Sequence, residues 1–251
     1  MQLGTSENIR LLSNNSSATK FNQWLAGLID GDGCFLGLSK KGYASVEITV
    51  DIRDSPLLYK IKNKFGGSIK LRSGAKAVRY RLHDKVGLLR FINAVNGHIR
   101  KSPRQLQLIR ICQLYNVSLL SPTTLTYDNN WMSGFLDADG TVTINKTNMQ
   151  LAISISQKTT ELLNPLIPLY GGYVYIDRNS NTFKWYITRK EDILKLLEYF
   201  KEYPCYSEKK NRLFLIPRFY ELAELKHIPD YNKMLNSFFI KWESYNTAFA
   251  C

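Results

Sequence analysis

Asp32 and Asp139 close two similar runs of residues. The first is Trp24-Leu25-Ala26-Gly27-Leu28-Ile29-Asp30-Gly31-Asp32-Gly33, and the second is Trp131-Met132-Ser133-Gly134-Phe135-Leu136-Asp137-Ala138-Asp139-Gly140. In a helix, Gly27 and Gly31 lie on one face, as do Gly134 and Ala138, so two such helices can approach closely. Gly33 and Gly140 are helix terminators. If the helices pack side by side in parallel, both carboxylates meet at the bottom of the interface. Each then faces the negative end of a helix dipole as well as the other acid. A divalent cation resolves that conflict, and Mg²⁺ takes oxygen ligands, often one or two carboxylates with phosphate oxygens and water. A metal held between carboxylates can activate water and stabilise the leaving oxygen in phosphodiester cleavage. Asp30 and Asp137 lie about 200° around the helix from these acids. They are read as structural, bonding neighbouring loops.

The elements that must position the acids repeat with them. The motif recurs at a shift of 107 residues, and the hydrophobic pattern that follows recurs at 105. Ile52 to Leu58 leading to Phe65-Gly66-Gly67 corresponds to Gln157 to Leu163 leading to Tyr170-Gly171-Gly172. After each motif helix, alternating segments predict strands over 35–40 and 142–146. Val46, Ile48 and Val50, or Leu151, Ile153 and Ile155, then face inward on a second strand. A helix is predicted over 54–65 and 159–170, then strands over 68–73 with 77–82 and 173–178 with 182–187. Helices over 84–96 and 190–202 and over 102–116 and 207–224 close each copy. The reading is α+β, αββαββα twice. The expected organisation is a flexible leader over 1–20, a first repeat over 21–116, a linker over 117–130 and a second repeat with a C-terminal extension over 131–251.

The outward strand positions of the first copy include Lys40, Thr49, Lys70, Arg72, Arg79 and Arg81. Those of the second include Thr143, Asn145, Gln150, Ser154, Tyr175, Lys184 and Tyr186. Such side chains bond base edges and phosphates. A strand of about nine residues spans roughly 30 Å, close to nine base pairs at about 3.4 Å each. Two such sheets suit a long, non-palindromic duplex.

The chain has 251 residues, 44 % of them hydrophobic, a formal net charge of +13 and a pI near 9.5. That balance fits either a polyanion partner or the codon bias of an AT-rich genome. No apolar run of about 18 residues suggests a membrane span, so a membrane partner is not expected. Cys34, Cys112, Cys205 and Cys251 are far apart, as are His83, His98 and His227. Neither a zinc site nor a disulfide framework is expected. Residues 1–20 are too polar for a secretory signal and poor in arginine for a mitochondrial presequence.

Leu25-Ala-Gly-Leu-Ile-Asp-Gly-Asp-Gly33 resembles the signature of the LAGLIDADG homing endonucleases. The second copy departs at Met132, Ser133 and Phe135 but keeps Gly134, Asp137, Asp139 and Gly140. Two motifs in one chain resemble the monomeric branch of that family. The resemblance implies two αββαββα repeats forming a saddle of antiparallel sheets on double-stranded DNA. It also implies Mg²⁺-dependent double-strand cleavage leaving 3′ overhangs, with Ca²⁺ able to occupy the site without cleavage. By match, Asp32 and Asp139 are the catalytic, metal-binding acids, and the preceding Gly31 and Ala138 are counted with them as metal ligands. A polar residue near the end of the second strand corresponds to Gln157, where the first copy has Ile52; Asp51 or Arg53 might serve instead, or that half lacks the group. A catalytic basic residue at the start of the last helix falls at Lys101 and Lys209, with Arg100 and Lys210 as alternatives. The same fold resembles intron maturases, which makes host intron RNA an alternative partner. A DNA-binding protein that has lost catalysis is the other alternative, and retention of both acids argues against it. The Asn-, Lys- and Tyr-rich composition points to an organellar genome, mitochondrial first and chloroplast second.

Overall fold

The computed structural model describes residues 5–37 and 43–245, with side chains from residue 17 onward. Helix α1 (Thr5–Asp32) carries the first motif at its C-terminal end. Residues 5–20, read from sequence as a flexible leader, are the early turns of this helix; they contain neither glycine nor proline to halt it. Residues 1–4 lie outside the described residues.

Strands β1 (Gly33–Leu36) and β2 (Ser45–Asp51) follow, then helix α2 (Ser55–Phe65), strands β3 (Ser68–Leu71) and β4 (Ala77–Leu82), and helices α3 (Lys85–Val95) and α4 (Ser102–Leu114). The second repeat runs α5 (Trp131–Asp139), β5 (Gly140–Asn145), β6 (Gln150–Gln157), α6 (Leu166–Tyr170), β7 (Tyr173–Asp177), β8 (Thr182–Ile187), α7 (Lys190–Glu202) and α8 (Lys209–Glu224). Each repeat is thus αββαββα with one further helix. The sheets are antiparallel, ordered β1-β2-β4-β3 and β5-β6-β8-β7. Val46, Ile48, Val50, Leu151, Ile153 and Ile155 are buried, as period-two alternation requires.

Local chemistry sets the boundaries. Pro56 stands in the first turn of α2, where its missing N–H costs no hydrogen bond. Asp84 caps α3, its Oδ2 accepting from Gly87 N at 2.8 Å. Gly66 and Gly171 follow α2 and α6 with φ of +84° and +77°, a conformation that glycine adopts without strain. The predicted helix over 159–170 shrinks to the five residues of α6. The segment holds two prolines, Pro165 and Pro168, in mid-segment rather than at the start, with Pro168 inside the short α6 itself. Pro165 lacks a donor and disfavours helical geometry at the residue before it, and 161–165 form turns.

Residues 117–130 hold no helix or strand, yet they are tied down. Asn96 Nδ2 donates to Ser118 O and its Oδ1 accepts from Leu120 N, both at 2.8 Å. At the other end Tyr199 Oη donates to Asn129 O at 2.6 Å. The extension includes helix α9 (Tyr231–Ser244), which packs Phe238 against Phe219 of α8. Among the described residues, no helix is long and apolar enough to cross a membrane, and Cys34, Cys112 and Cys205 are free thiols.

Candidate active site

The motif helices α1 and α5 meet backbone to backbone. A Cβ on Gly27 would sit 2.0 Å from Trp131 O, and one on Gly134 would sit 1.8 Å from Trp24 O. One turn on, a Cβ on Gly31 would sit 2.2 Å from Ala138 Cβ and 2.9 Å from Asp139 Oδ2. The small residues at these spacings let two helices touch at main-chain distance. The contact pairs run in the same order along both helices, so the helices are parallel, and their acidic ends come together.

Asp30 and Asp137 hold the arrangement by a crossed set of hydrogen bonds. Asp30 Oδ2 accepts from Trp131 Nε1 and Arg100 N, each at 2.8 Å, and Oδ1 accepts from Lys101 N at 3.1 Å. Asp137 Oδ2 accepts from Trp24 Nε1 and Tyr206 N, each at 2.8 Å, and Oδ1 accepts from Ser207 N at 3.0 Å and from its hydroxyl. Each buried carboxylate therefore grips the tryptophan of the opposite motif. It also grips the chain entering the last helix of its own repeat, which carries Lys101 or Lys209. This is the structural role read from sequence. Burial still pushes Asp30 up to about 6, against the three hydrogen bonds that lower it.

Asp32 and Asp139 line a cleft of about 750 Å³ together with Thr49, Thr141, Thr143 and Lys209. Asp32 is pushed up to about 7, by burial first and then by the charge of Asp139, with Lys209 opposing. Asp139 is also raised by burial, with Lys101 the foremost opposing group. Lys101 and Lys209 thus both act on both acids. Two crowded, half-buried carboxylates are a donor set of hard oxygens. Among the described residues no group of three or more His, Cys, Asp or Glu is placed to hold a metal. A pair suffices for Mg²⁺, which keeps several waters and takes further oxygens from phosphate. The residues present fit that ion.

The two sides of the cleft differ. Gln157 is buried at the end of β6 and its Nε2 donates to Asp139 Oδ2 at 2.6 Å. Lys209 is buried too, and its Nζ donates to Leu136 O, Asp137 O and Ala138 O at 3.1, 2.6 and 2.8 Å. Leu136 O also accepts from the Gly140 N–H that closes α5, whereas Asp137 O and Ala138 O belong to the last turn, whose carbonyls lack helical partners, and an ammonium is favoured at that end. The Ala138 carbonyl, counted from sequence among the metal ligands, is thus engaged by Lys209. On the first repeat's side the strand register puts Val50, not Ile52, at the Gln157 position: Gly33 pairs with Ile48 as Gly140 pairs with Ile155, and Val50 with Val78 as Gln157 with Phe183. The two-residue shortening of the second copy falls after this strand rather than before it. Val50 is therefore buried at the matching place, while Ile52, the counterpart read from sequence, lies past the end of β2 and is 43 % exposed. Asp51 and Arg53, the candidate substitutes, pair with each other; Asp51 Oδ1 lies 3.1 Å from Arg53 Nε and Oδ2 lies 3.1 Å from Nη2.

Asp54, which the sequence reading passed over, is buried in this cleft wall and raises Asp32 by its charge. It accepts from Glu208 N at 2.7 Å, at the threshold of α8. Glu161 does the reverse service, accepting from Ser102 N at 3.0 Å at the start of α4. Asp54-Ser55-Pro56 reads as an ordinary helix start, which hides this cross-repeat bond. Arg212 was missed as well; it donates to Val142 O at 2.8 Å and lies 5.0 Å from the Trp242 ring of α9.

The predicted sheet residues divide by exposure. Lys70, Arg72, Thr143, Asn145, Gln150 and Tyr175 are exposed, and Thr49, Arg79, Arg81, Lys184 and Tyr186 are half-buried. Ser154 is outward in register, between Thr141 and Tyr186, but buried by its neighbours, so it is not on offer at the surface. Lys40 lies outside the described residues.

Comparison with known proteins agrees with this geometry. The family model for LAGLIDADG endonuclease matches residues 25–115 and 132–220, one match per repeat. A probable intron-encoded endonuclease, aI2, of Debaryomyces hansenii is 41 % identical over 92 % of this chain and 38 % of its own length. The intron-encoded RNA maturase bI4 of Saccharomyces cerevisiae is 47 % identical over 83 % of this chain and 34 % of its own. The intron-encoded DNA endonuclease ai2a of Dictyostelium discoideum is 38 % identical over 94 % of this chain and 79 % of its own. The chain thus spans little more than a third of the first two relatives. Among solved structures, the LAGLIDADG homing endonuclease I-LtrWI bound to target DNA superposes with a TM-score of 0.69 at 15 % identity, covering 92 % of this chain and 99 % of that one. With both motifs matched and their helices packed as a pair, the chain belongs to the LAGLIDADG endonuclease family.

Proposed function

We propose that this protein is a monomeric, site-specific endonuclease that cuts both strands of a long, non-palindromic DNA duplex and leaves 3′ overhangs. The single observation that carries the reading is the meeting of Asp32 and Asp139 at the ends of α1 and α5, in a cleft shared by both sheets. Asp32 and Asp139 hold Mg²⁺, with the Gly31 carbonyl beside them; Ca²⁺ can occupy the same oxygens without supporting cleavage. When bound, the ion supplies an activated water and charge stabilisation at the scissile phosphate. Gln157 fixes the rotamer of Asp139. Lys101 brings positive charge to both acids and to the phosphate between them. Lys209 holds the end of α5, and with it Asp139, in place.

Affinity comes from the outer sheet faces. Lys70, Arg72, Arg79 and Arg81 of the first repeat and Lys184 of the second neutralise phosphates or bond bases. Thr49, Thr143, Asn145, Gln150, Tyr175 and Tyr186 complete the contact. Six to ten phosphate contacts give a slope of log K against log salt of roughly −5 to −9. The relatives named as intron-encoded support an intron-borne gene, and composition supports an organellar one, in a mitochondrion first. The test is selection of cleaved duplexes from a randomised library with Mg²⁺, repeated with Ca²⁺. Defined double-strand breaks with Mg²⁺ alone support the reading; no break with either ion contradicts it.

Likeness to a maturase favours a second partner, host intron RNA. Competition between the intron transcript and the selected duplex for the protein separates the two. Mutual exclusion places RNA on the sheet faces, and ternary binding places it elsewhere.

A further inference from the structure

The two sheets offer different chemistry to a duplex. Strands β1–β4 carry three cations, Lys70, Arg79 and Arg81, whereas β5–β8 carry Lys184 alone. In the first sheet Glu47 stands opposite Arg81 and beside Arg79. Glu47 Oε1 lies 3.0 Å from Arg81 Nε, and Oε2 lies 3.4 Å from Arg79 Nη1. Glu47 is largely covered, while each arginine side chain keeps 39 % of its surface exposed. One carboxylate cannot neutralise two guanidiniums. The pair stays net positive, with two donor forks held side by side above a basic concavity of about 400 Å³ that Lys70 and Arg72 also line.

On the second sheet Tyr173, Tyr175 and Tyr186 form a closed triad, with ring centroids 5.8 to 5.9 Å apart. Tyr173 is 52 % and Tyr175 37 % exposed, so the triad is presented rather than buried. Lys184 lies within 4.0 Å of Asp177, which draws its charge away from a ligand. This face has ring edges and hydroxyls where the first has forks.

Arginine forks match the O6 and N7 acceptors of guanine, and apolar groups match the C5 methyl of thymine. Arg79 and Arg81 are two residues apart on one strand, about 6.7 Å, or roughly two base-pair steps. Resting on the endonuclease reading, we propose that the two halves of the target are read by different chemistry. The half on the first sheet is read through guanines by Arg79 and Arg81, with Glu47 as their positioning residue. The half on the second sheet is read through thymine methyls by the tyrosine triad and is A·T-rich. Glu47 holds the guanidiniums in place before binding, so less side-chain entropy is lost on docking.

Base analogues test this on the duplex selected as above, with Ca²⁺ present so that only binding is read. 7-Deazaguanine removes the N7 acceptor, and deoxyuridine removes the thymine methyl. The expected result is a loss of about tenfold or more for 7-deazaguanine in one half and little loss in the other. Deoxyuridine gives the converse, a smaller loss confined to the opposite half. Arg79→Ala shrinks the 7-deazaguanine penalty, and Arg79→Ala with Arg81→Ala abolishes it, each leaving the deoxyuridine penalty intact; Tyr175→Ser lowers the deoxyuridine penalty alone. Glu47→Gln lowers guanine discrimination alone, whereas a general folding defect would weaken both halves together. Equal penalties in both halves, or an unchanged 7-deazaguanine penalty in Arg79→Ala, overturn this assignment while leaving the endonuclease reading standing. A library that yields no cleaved duplex overturns both.

Discussion

In the second repeat the acid at the helix end has two attendants. Gln157 bonds Asp139, and Lys209 seals the last carbonyls of α5. In the first repeat the matching strand position holds apolar, buried Val50, the polar residues just beyond it, Asp51 and Arg53, are paired with each other, and the buried group nearest in kind is another acid, Asp54. The backbone of the two halves is nearly the same, but the electrostatics around the two acids is not. Both acids feel Lys101 and Lys209, but Asp139 also accepts from Gln157, whereas Asp32 also feels the like charges of Asp139 and Asp54, so burial and like charge drive Asp32 to about 7. A duplicated fold needs symmetric packing only where the copies touch, along Gly27, Gly31, Gly134 and Ala138. Away from that seam each copy is free to diverge. Under the proposed function a non-palindromic duplex gives each copy a different strand and sequence to meet.

Breaking the seam has the largest expected effect. Gly134→Val places side-chain carbon within 1.8 Å of the Trp24 carbonyl, and no rotamer relieves a clash at Cβ. Soluble folded protein should be lost, as judged by circular dichroism and gel filtration, and Gly27→Val should behave alike. Normal folding in either would show that the two motif helices do not pack as described.

Next comes the inequality of the two sides. Gln157→Ala should slow cleavage by tenfold or more, since it releases Asp139 and leaves a buried carboxylate short of a donor. Val50→Ala, at the matching strand position, removes no hydrogen bond to Asp32 and should change the rate less than twofold. Single-turnover rates for each strand, at matched folding stability, give the comparison directly. Equal effects would mean the second side has no special dependence on its glutamine.

The pH response of the metal-free protein sharpens the point. Asp32 has a folded pKa of about 7 against an ordinary 3.8, so the folded state holds a proton that the unfolded chain releases. Stability is therefore highest toward pH 4 for this group and falls as pH rises, levelling off above about 7. Asp30, pushed up to about 6, acts with the same sign over a narrower window. Asp32→Asn should raise the melting temperature at pH 7.5 by a few degrees and flatten the slope between pH 5 and 7.5 in thermal melts without divalent ions. A variant less stable than the parent at pH 7.5 would contradict the crowding of acids.

Much of this was legible in the chain. The glycine spacing and duplicated acids gave the helix pair, and period-two alternation gave the strands, because both patterns record which side of an element is packed. Gln157 was legible only through the family resemblance, which expects a polar residue near the end of the second strand, and the counterpart assigned to it in the first copy, Ile52, was displaced to Val50 by register. What was hidden depends on contacts between distant segments. Asp54 and Glu161 bond the opposite repeat 154 and 59 residues away, and local spacing carries no trace of that. Helix α6 was overestimated because hydrophobic periodicity continued through Pro165, whose missing donor outweighed it. The burial of Ser154 and the pairing of Arg79 and Arg81 with Glu47 also depend on register, which alternation alone does not supply.

The central claim is that Asp32 and Asp139 form one composite site in which each acid is required for a double-strand break. Asp32→Asn and Asp139→Asn should each be tested on a supercoiled plasmid bearing the selected duplex, with Mg²⁺, alongside binding by the same proteins. The account predicts binding within a few-fold of the parent and no linear product from either variant. Linear plasmid at the parental rate from either one would contradict it.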